Sequence, residues 1–204
     1  RTMDPNQQQL LLTTGGKKST YIDDVFSTYI YKGTNAQITV NNSIDLADEG
    51  GLVWVKNLGH AGSTSGHWFF DTVRGITKGM QTNLTNAEVT APAGVNVFSS
   101  NGYSIGQASD NDIRFQNSSY DYGSWTFRKA PGFFDIVSYT GTGSALTVAH
   151  GLGCVPGCII VKRLDAATYD WTVYHKDLAD TEYLILNTTG LAASGNNRFD
   201  QGDP

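Results

Sequence analysis

His60 and His67 flank the segment AGSTSG, so a Ser/His pair is the first chemistry the sequence offers. Nucleophilic catalysis needs a Ser, Thr or Cys within reach of a base that a third group orients. No nucleophile-elbow signature surrounds this segment, and a solvated loop between strands is the plain reading. Asp71, Asp110, Asp112, Asp135 and Asp170 all fall near expected strand ends. Two such carboxylates facing across a cleft could hydrolyse a glycosidic bond, but nothing in the spacing singles out a pair. Asp110-Asn111-Asp112 opens like a calcium loop without the rest of the EF-hand pattern, and reads as a surface turn. Cys154 and Cys158, in CVPGC, have only His150 as a nearby supplement, too little for a metal site. Cys158 is expected to begin a buried strand, with Cys154 in the turn before it. His150 is expected in a turn, and His175 at the end of the strand WTVYH. GTGSAL, from Gly141, lacks the third glycine and following helix of a dinucleotide fingerprint, and reads as a hairpin loop. No cofactor and no catalytic set is expected.

Binding residues are a different matter. A flat indole can stack on a pyranose face, and the chain has four tryptophans, Trp54, Trp68, Trp125 and Trp171. Trp54 and Trp125 alternate with polar neighbours and are expected mostly in the core. Trp68 and Trp171 are expected at equivalent places in two related segments, with a shared packing role. Tyr120 and Tyr122, beside Asn117 and Asp121, read as exposed loop aromatics and are the candidate ligand-binding set. Asn-x-Ser/Thr triplets at Asn41, Asn83, Asn117 and Asn187 are what an Asn/Thr-rich chain produces by chance.

The elements that must position these groups are strands. VFSTYIY alternates, with Phe26, Thr28 and Ile30 on one face and Tyr29 and Tyr31 on the other. AQITV, LVWVK and HWFFDTV follow as further strands. In NVFSSNGYSIG, Asn101-Gly102 suits a type I′ hairpin turn. YGSWTFRK places Trp125 and Phe127 on one face and Ser124, Thr126 and Arg128 on the other. No helical periodicity of useful length competes with this pattern.

The strand series then recurs. FSTYIYKGTNAQITV from Phe26 aligns with FDIVSYTGTGSALTV from Phe134, matching Tyr31 with Tyr139, Gly33 with Gly141, Thr34 with Thr142, and Val40 with Val148. After a short deletion, GLVWVK (Gly51 to Lys56) falls on GCIIVK (Gly157 to Lys162). The period is too long for a solenoid repeat of about 20–50 residues, so each copy is of domain size. Residues 1–22 read as an N-terminal arm or linker, 23–130 as a first β-sandwich module, and 131–204 as a second. Ala130-Pro131-Gly132 marks the boundary, and so short a linker holds the modules in a narrowly variable relation. The second copy is shorter than the first and is expected to be truncated, or completed from outside the chain. Met3 is the expected natural start. The fold class is therefore all-β, two tandem antiparallel sandwiches of jelly-roll type, the second incomplete.

Composition limits the function classes. Charged residues make up only 16% and the formal net charge is −5, so a basic face for nucleic acid is not expected. The adjacent basic pairs Lys17-Lys18 and Arg128-Lys129 read as solvated surface charge. No apolar run reaches the roughly 18–20 residues needed to cross a bilayer as a helix, so no membrane insertion is expected. Without a disulfide framework, the fold does not depend on oxidation.

DDVFSTYIYKG, GGLVWVKN, FDTVRGITKGMQTN, FSSNGYSIG, WTFRKAPGFFDIVSYTGTG, HGLGCVPGCIIVKR and WTVYHKDL, in that order, resemble a family of bacteriophage virion proteins. The family is common among phages of marine bacteria and cyanobacteria, and the resemblance runs from about residue 20 to 199. Its members look like concanavalin/laminin-G-type sandwiches in tail-fibre and other tail-associated polypeptides. The resemblance implies a non-enzymatic structural protein of the virion tail, a homotrimer meeting other tail proteins, with a role in attachment to a host cell-surface glycan. It carries over no catalytic residues. Family members continue with strands that close the second module, so its absence here would leave an unpaired sheet edge and invite strand exchange between subunits. Three rivals stay open: a capsid decoration protein without a ligand, a glycan-active depolymerase, and a lectin-like module with calcium at a loop rim.

Overall fold

The computed structural model describes residues 9–10, 20–60, 65–106, 113–179, 181–195 and 199. Met3, Lys17-Lys18, residues 61–64 of AGSTSG, and Asp110 and Asp112 lie outside them. Alternating β-branched and aromatic residues broken by Gly, Asn and Ser turns give an almost entirely β chain. β1 (Gln9–Leu10) pairs antiparallel with β2 (Thr20–Tyr21), and a single helical turn, α1 (Ile22–Val25), follows. The first half then runs β3 (Phe26–Lys32), β4 (Ile38–Asn41), β5 (Gly51–Asn57), β6 (His67–Asp71), β7 (Lys78–Gln81), β8 (Val89–Thr90), β9 (Val95–Ser99), β10 (Gly102–Ile105) and β11 (Asp121–Arg128).

These strands form two antiparallel sheets, one of order β3-β11-β5-β6-β7-β8 and one of order β4-β10-β9. The β-sandwich core lies between them and holds Tyr31, Val40, Val53, Val55, Trp68, Phe70, Tyr103, Ile105, Phe115 and Tyr122. The alternation expected in β3 and β11 is present, but its sense in β11 is the reverse of a simple hydrophobic reading. Ser124 and Thr126 face the core, where the Tyr103 hydroxyl donates to Ser124 Oγ at 2.6 Å and Asn42 Nδ2 donates to Thr126 Oγ1 at 2.8 Å. Trp125 and Phe127 point to the opposite face, as does Trp54 opposite Trp125 on β5. Trp54 and Trp125 are thus half-buried outside the sandwich core, a correction to the sequence expectation. Trp54 packs in a second cluster with Leu52, Phe69, Met80, Phe127 and residues of the second half.

The β9–β10 hairpin forms as expected, with a different turn. Ser99 pairs with Gly102, so the loop residues are Ser100 and Asn101, and neither has a positive φ. Type I′ would require both to be positive. Gly102 alone does so, at φ +139°, where a Cβ would come within 2.1 Å of the Val40 carbonyl oxygen.

The second half is one antiparallel meander, β12 (Cys158–Val161), β13 (Thr172–His175), β14 (Glu182–Ile185) and β15 (Ala193–Ser194), in that order. It repeats the β5–β8 meander in order and in local detail. Lys56 opposes His67, and Nζ of Lys56 donates to the Ser65 carbonyl at 3.2 Å. Lys162, one residue past β12, donates to the Tyr169 carbonyl at 2.8 Å. Asn83 Oδ1 accepts from His67 N–H at 3.1 Å, and Asn187 Oδ1 accepts from Trp171 N–H at 2.9 Å. The equivalent of Trp171 is therefore His67, not Trp68. Trp68 lies in the sandwich core, whereas Trp171 reaches across to the first half.

Contact between the halves is substantial. Trp171 sets its ring edge-on to Phe69, with centroids 5.5 Å apart, and its Nε1 donates to the Gln81 and Leu84 carbonyls at 3.0 and 3.2 Å. Glu88 N–H donates to the Leu164 carbonyl at 2.9 Å, and Lys162 Nζ to the Thr85 carbonyl at 3.1 Å. Cys158 begins a strand as expected but is exposed rather than buried. It stands on the edge strand of this sheet, with no neighbour on its outer side among the described residues.

Candidate functional site

The candidate binding residues occupy the loop before β11 and the first two residues of β11, and the loop is pinned from beneath by Tyr122 of β11 and Tyr31 of β3. Tyr122 stacks on Tyr31 with ring centroids 5.2 Å apart. Its hydroxyl donates to the Ile113 carbonyl at 3.0 Å and accepts from Asn117 N–H at 2.9 Å. The Tyr31 hydroxyl donates to the Phe115 carbonyl at 2.9 Å, and burial holds its pKa well above the ordinary phenol value. Tyr122 is fully buried. It is a core residue, not an exposed loop aromatic, because its ring faces the other sheet even though its sequence neighbours are polar.

The other three candidates meet at one rim. Tyr120 is half-buried beside Gly59, its ring edge-on to His60 at 5.4 Å. Asp121 is exposed and pairs with Lys32 at 3.6 Å. Asn117 Oδ1 accepts from Ser119 N–H at 2.8 Å. Asn35, Ser118, Leu58 and His60 also belong to this rim and were missed by sequence reasoning. Asn35, in a left-handed conformation at φ 55°, exchanges two hydrogen bonds with Ser118, at 2.8 and 2.9 Å. Asn57 Oδ1 accepts from the Gly59 and His60 amides, both at 2.9 Å, so one buried side chain shapes the neighbouring loop. The Asn57-Leu58-Gly59 turn was the available signal. The rim presents amides, hydroxyls and one aromatic edge, which suits a neutral hydrogen-bonding ligand.

The reactive candidates are engaged elsewhere. Ser65 Oγ donates to the His60 carbonyl at 2.9 Å and lies 3.0 Å from His60 Nδ1. With its proton on that carbonyl, Ser65 receives a hydrogen bond from the ring rather than giving one to a base. Trp54 Nε1 donates to His67 Nδ1 at 3.0 Å, and burial together with the nearby Lys56 ammonium lowers the His67 pKa. A neutral ring with Nδ1 as acceptor satisfies both observations. Asp71 caps the following turn by accepting from the Val73 and Arg74 amides, at 3.1 and 2.9 Å, and pairs with the buried Arg74 guanidinium, which also meets Glu88. Asp170 accepts from Asn187 Nδ2 at 2.8 Å. His150 Nδ1 accepts from Leu152 N–H at 3.3 Å, and His175 ends β13 with Nδ1 accepting from Asp177 N–H at 3.3 Å. Among the described residues no group of three His, Cys, Asp or Glu side chains could hold a metal ion.

Asp135, like Asp71, is a carboxylate committed to structure. It accepts from Gly151 N–H at 2.6 Å and Ile136 N–H at 2.9 Å, and pairs with Lys129 at 2.9 Å. Burial pulls its pKa up, but these three partners outweigh it and hold the carboxyl below its ordinary value. A depressed folded-state pKa stabilises above the unfolded value of about 3.9, and that contribution is lost as pH falls through the folded one. The Ile136 and Gly151 amides are thus expected to lose protection between about pH 4 and lower values. Asp135→Asn should remove that pH dependence, as hydrogen exchange at pH 6 and pH 3 would report.

No match to the chain is found among curated proteins or solved structures. Residues 21–204 match the model of a family described as a domain of unknown function, DUF7483, and the chain belongs to that family.

Proposed function

We propose that this chain is a structural protein of a bacteriophage virion, placed in the tail or tail fibre, assembling as a homotrimer with other tail proteins and meeting a host-surface glycan. In this reading its two related halves are concanavalin-like modules, and it is not an enzyme. The observation that carries a structural role over a catalytic one is the engagement of Ser65, His60, His67, Asp71, Asp135 and Asp170 in turns and core contacts. The net charge of −5 supports a partner other than nucleic acid. Glycan contact falls to the rim of Asn117, Tyr120 and Asp121, with Tyr122 beneath as its support. A trimer would bring three such rims to one surface, so weak single sites suffice.

Immunogold labelling of purified phage particles tests placement. Tail labelling supports the reading, head labelling favours a capsid decoration protein, and unlabelled particles overturn both. On a glycan array, Tyr120→Ala is expected to weaken retention about tenfold, the equivalent of roughly 1.4 kcal/mol per site. Tyr122→Phe is expected to lower stability by about 1 kcal/mol, through loss of the hydroxyl bridge, and to weaken retention less than Tyr120→Ala does, because it loosens the loop under Asn117 without removing a contact.

A further inference from the structure

The two halves share the meander and much local structure but not the strand pairing around it, and the difference locates a site. Thr34 Oγ1 donates to the Ala36 carbonyl at 3.2 Å and accepts from Ala36 N–H at 3.3 Å. Thr142 makes the same two bonds with Ser144, at 3.3 and 3.4 Å. Asn35 and Gly143 follow the respective threonines, both left-handed, at φ 55° and 76°. The turn is therefore encoded locally in both halves. Its flanks are not. In the first half they are β3 and β4, paired to β11 and β10. In the second half, the chain from Ile136 to Ala149 has no strand pairing among the described residues.

The side chains follow suit. Tyr31 is 7% exposed under Tyr122, whereas its counterpart Tyr139 is 50% exposed. Val40 is fully buried and Val148 only half-buried. In the same sheet as β3, β5 lies between β11 and β6, but its counterpart β12 has only β13 beside it. Both deficits, in the 136–140 segment and at the β12 edge, correspond to one absent neighbour. In the first half a single strand, β11, pairs with β3 on one side and β5 on the other.

We infer that the β12 edge and the segment from Ile136 to Thr140, just past the Ala130–Phe134 bridge, form one acceptor site for an antiparallel strand with the alternation of β11. That alternation places Tyr122, Ser124 and Thr126 on the inner face and Trp125 and Phe127 on the outer one. The strand is defined by this pattern and is not a second copy's β11, because each copy's β11 is already held between β3 and β5. Backbone hydrogen bonds supply the affinity and alternate side chains the selectivity. The site continues an existing interface, since Phe134 and Ile136 already pack on the first half with Phe127. This inference stands on the paired registers and does not depend on the virion reading.

The probe is a synthetic peptide of residues 119–130, added in excess to the full chain and, separately, appended after Pro204 through a Gly/Ser linker. A peptide with its residues reordered to break the alternation serves as control. Hydrogen exchange should slow at least tenfold in 136–140 and 158–161 together, with the native-order peptide only. Alkylation of the exposed Cys158 should slow at least tenfold, while Cys154 stays as reactive as before. Unchanged exchange with both the free and the appended strand overturns the inference. So does β12 protection that rises with chain concentration in the absence of peptide, which would identify a second copy at the edge.

Discussion

Trp171→Ala is expected to cost about 3–5 kcal/mol, the usual range for removing a buried aromatic, and to release the second half from the first. The side chain is 3% exposed although it belongs to a sheet that is otherwise mostly open. It fills a cluster with Leu52, Phe69 and Met80, flanked by Trp54, Phe127, Phe134, Ile136 and Leu164. Its Nε1–H satisfies two carbonyls, Gln81 and Leu84, which would be left without that donor. Two further cross-links, from Glu88 to Leu164 and from Lys162 to Thr85, are single hydrogen bonds, the neutral one worth about 0.5–1.5 kcal/mol and the one from the ammonium about 1.5–3 kcal/mol. They do not replace an indole. Hydrogen exchange should therefore show protection lost across 158–185, with Val53, Phe70 and Tyr103 retaining theirs. Trp171→Phe keeps a ring against Phe69 and loses only the donor, so about 1–2 kcal/mol is expected. Equal protection of the second half in wild type and Trp171→Ala would show that the halves are not held by this contact.

That anchor also explains which parts of the fold were legible in the sequence. Strand positions and alternation in FSTYIYK and DYGSWTFR were, because period-two patterning is local. The inward face of β11 was not. A rule that turns aromatics inward assumes water on the other side, and here the second half covers much of that side through Trp171, Phe134 and Ile136. Tyr122 was misread for a similar reason. Asn117, Ser118, Ser119 and Asp121 make its neighbourhood polar, and only Tyr31, far away in sequence, shows where the ring goes. The rim was partly legible: Asn117, Tyr120 and Asp121 do come together, but Asn35 and His60 arrive through contacts that spacing cannot show. The likeness of the two halves was readable as matched strings. The displacement of Trp171 onto the place of His67 was not, because equivalent pairs enclose fewer residues in the second half (Val161 with Thr172, against Val55 with Trp68) and identical tryptophans attract an alignment.

Two glycines that align in sequence are expected to respond oppositely to the same substitution. A Cβ on Gly33 would lie 2.0 Å from the Asn117 carbonyl oxygen and 2.7 Å from the Gln116 carbonyl carbon, both backbone atoms that cannot swing aside. Gly33 N–H also donates to the Tyr120 carbonyl at 3.0 Å, so any retreat breaks the bond that ties this turn to the candidate rim. Gly33→Ala should therefore cost about 3 kcal/mol, at the upper end for forced overpacking, and should disturb glycan retention as well as stability. Gly141 follows the same Tyr-x-Gly-Thr pattern, yet a Cβ there meets nothing within 4 Å. Its φ is not in the left-handed region, so alanine is admissible and reduces the freedom of the unfolded chain. Gly141→Ala is expected to be neutral or to stabilise by up to about 1 kcal/mol. Parallel urea titrations of the two variants measure the contrast. The same pair, repeated with the β11-type strand appended, turns it into a probe of the acceptor site. If that strand draws a loop like 116–120 over Gly141, alanine there becomes costly. If the appended strand leaves Gly141→Ala neutral while protecting β12, the strand pairs without bringing the loop that crowds Gly33.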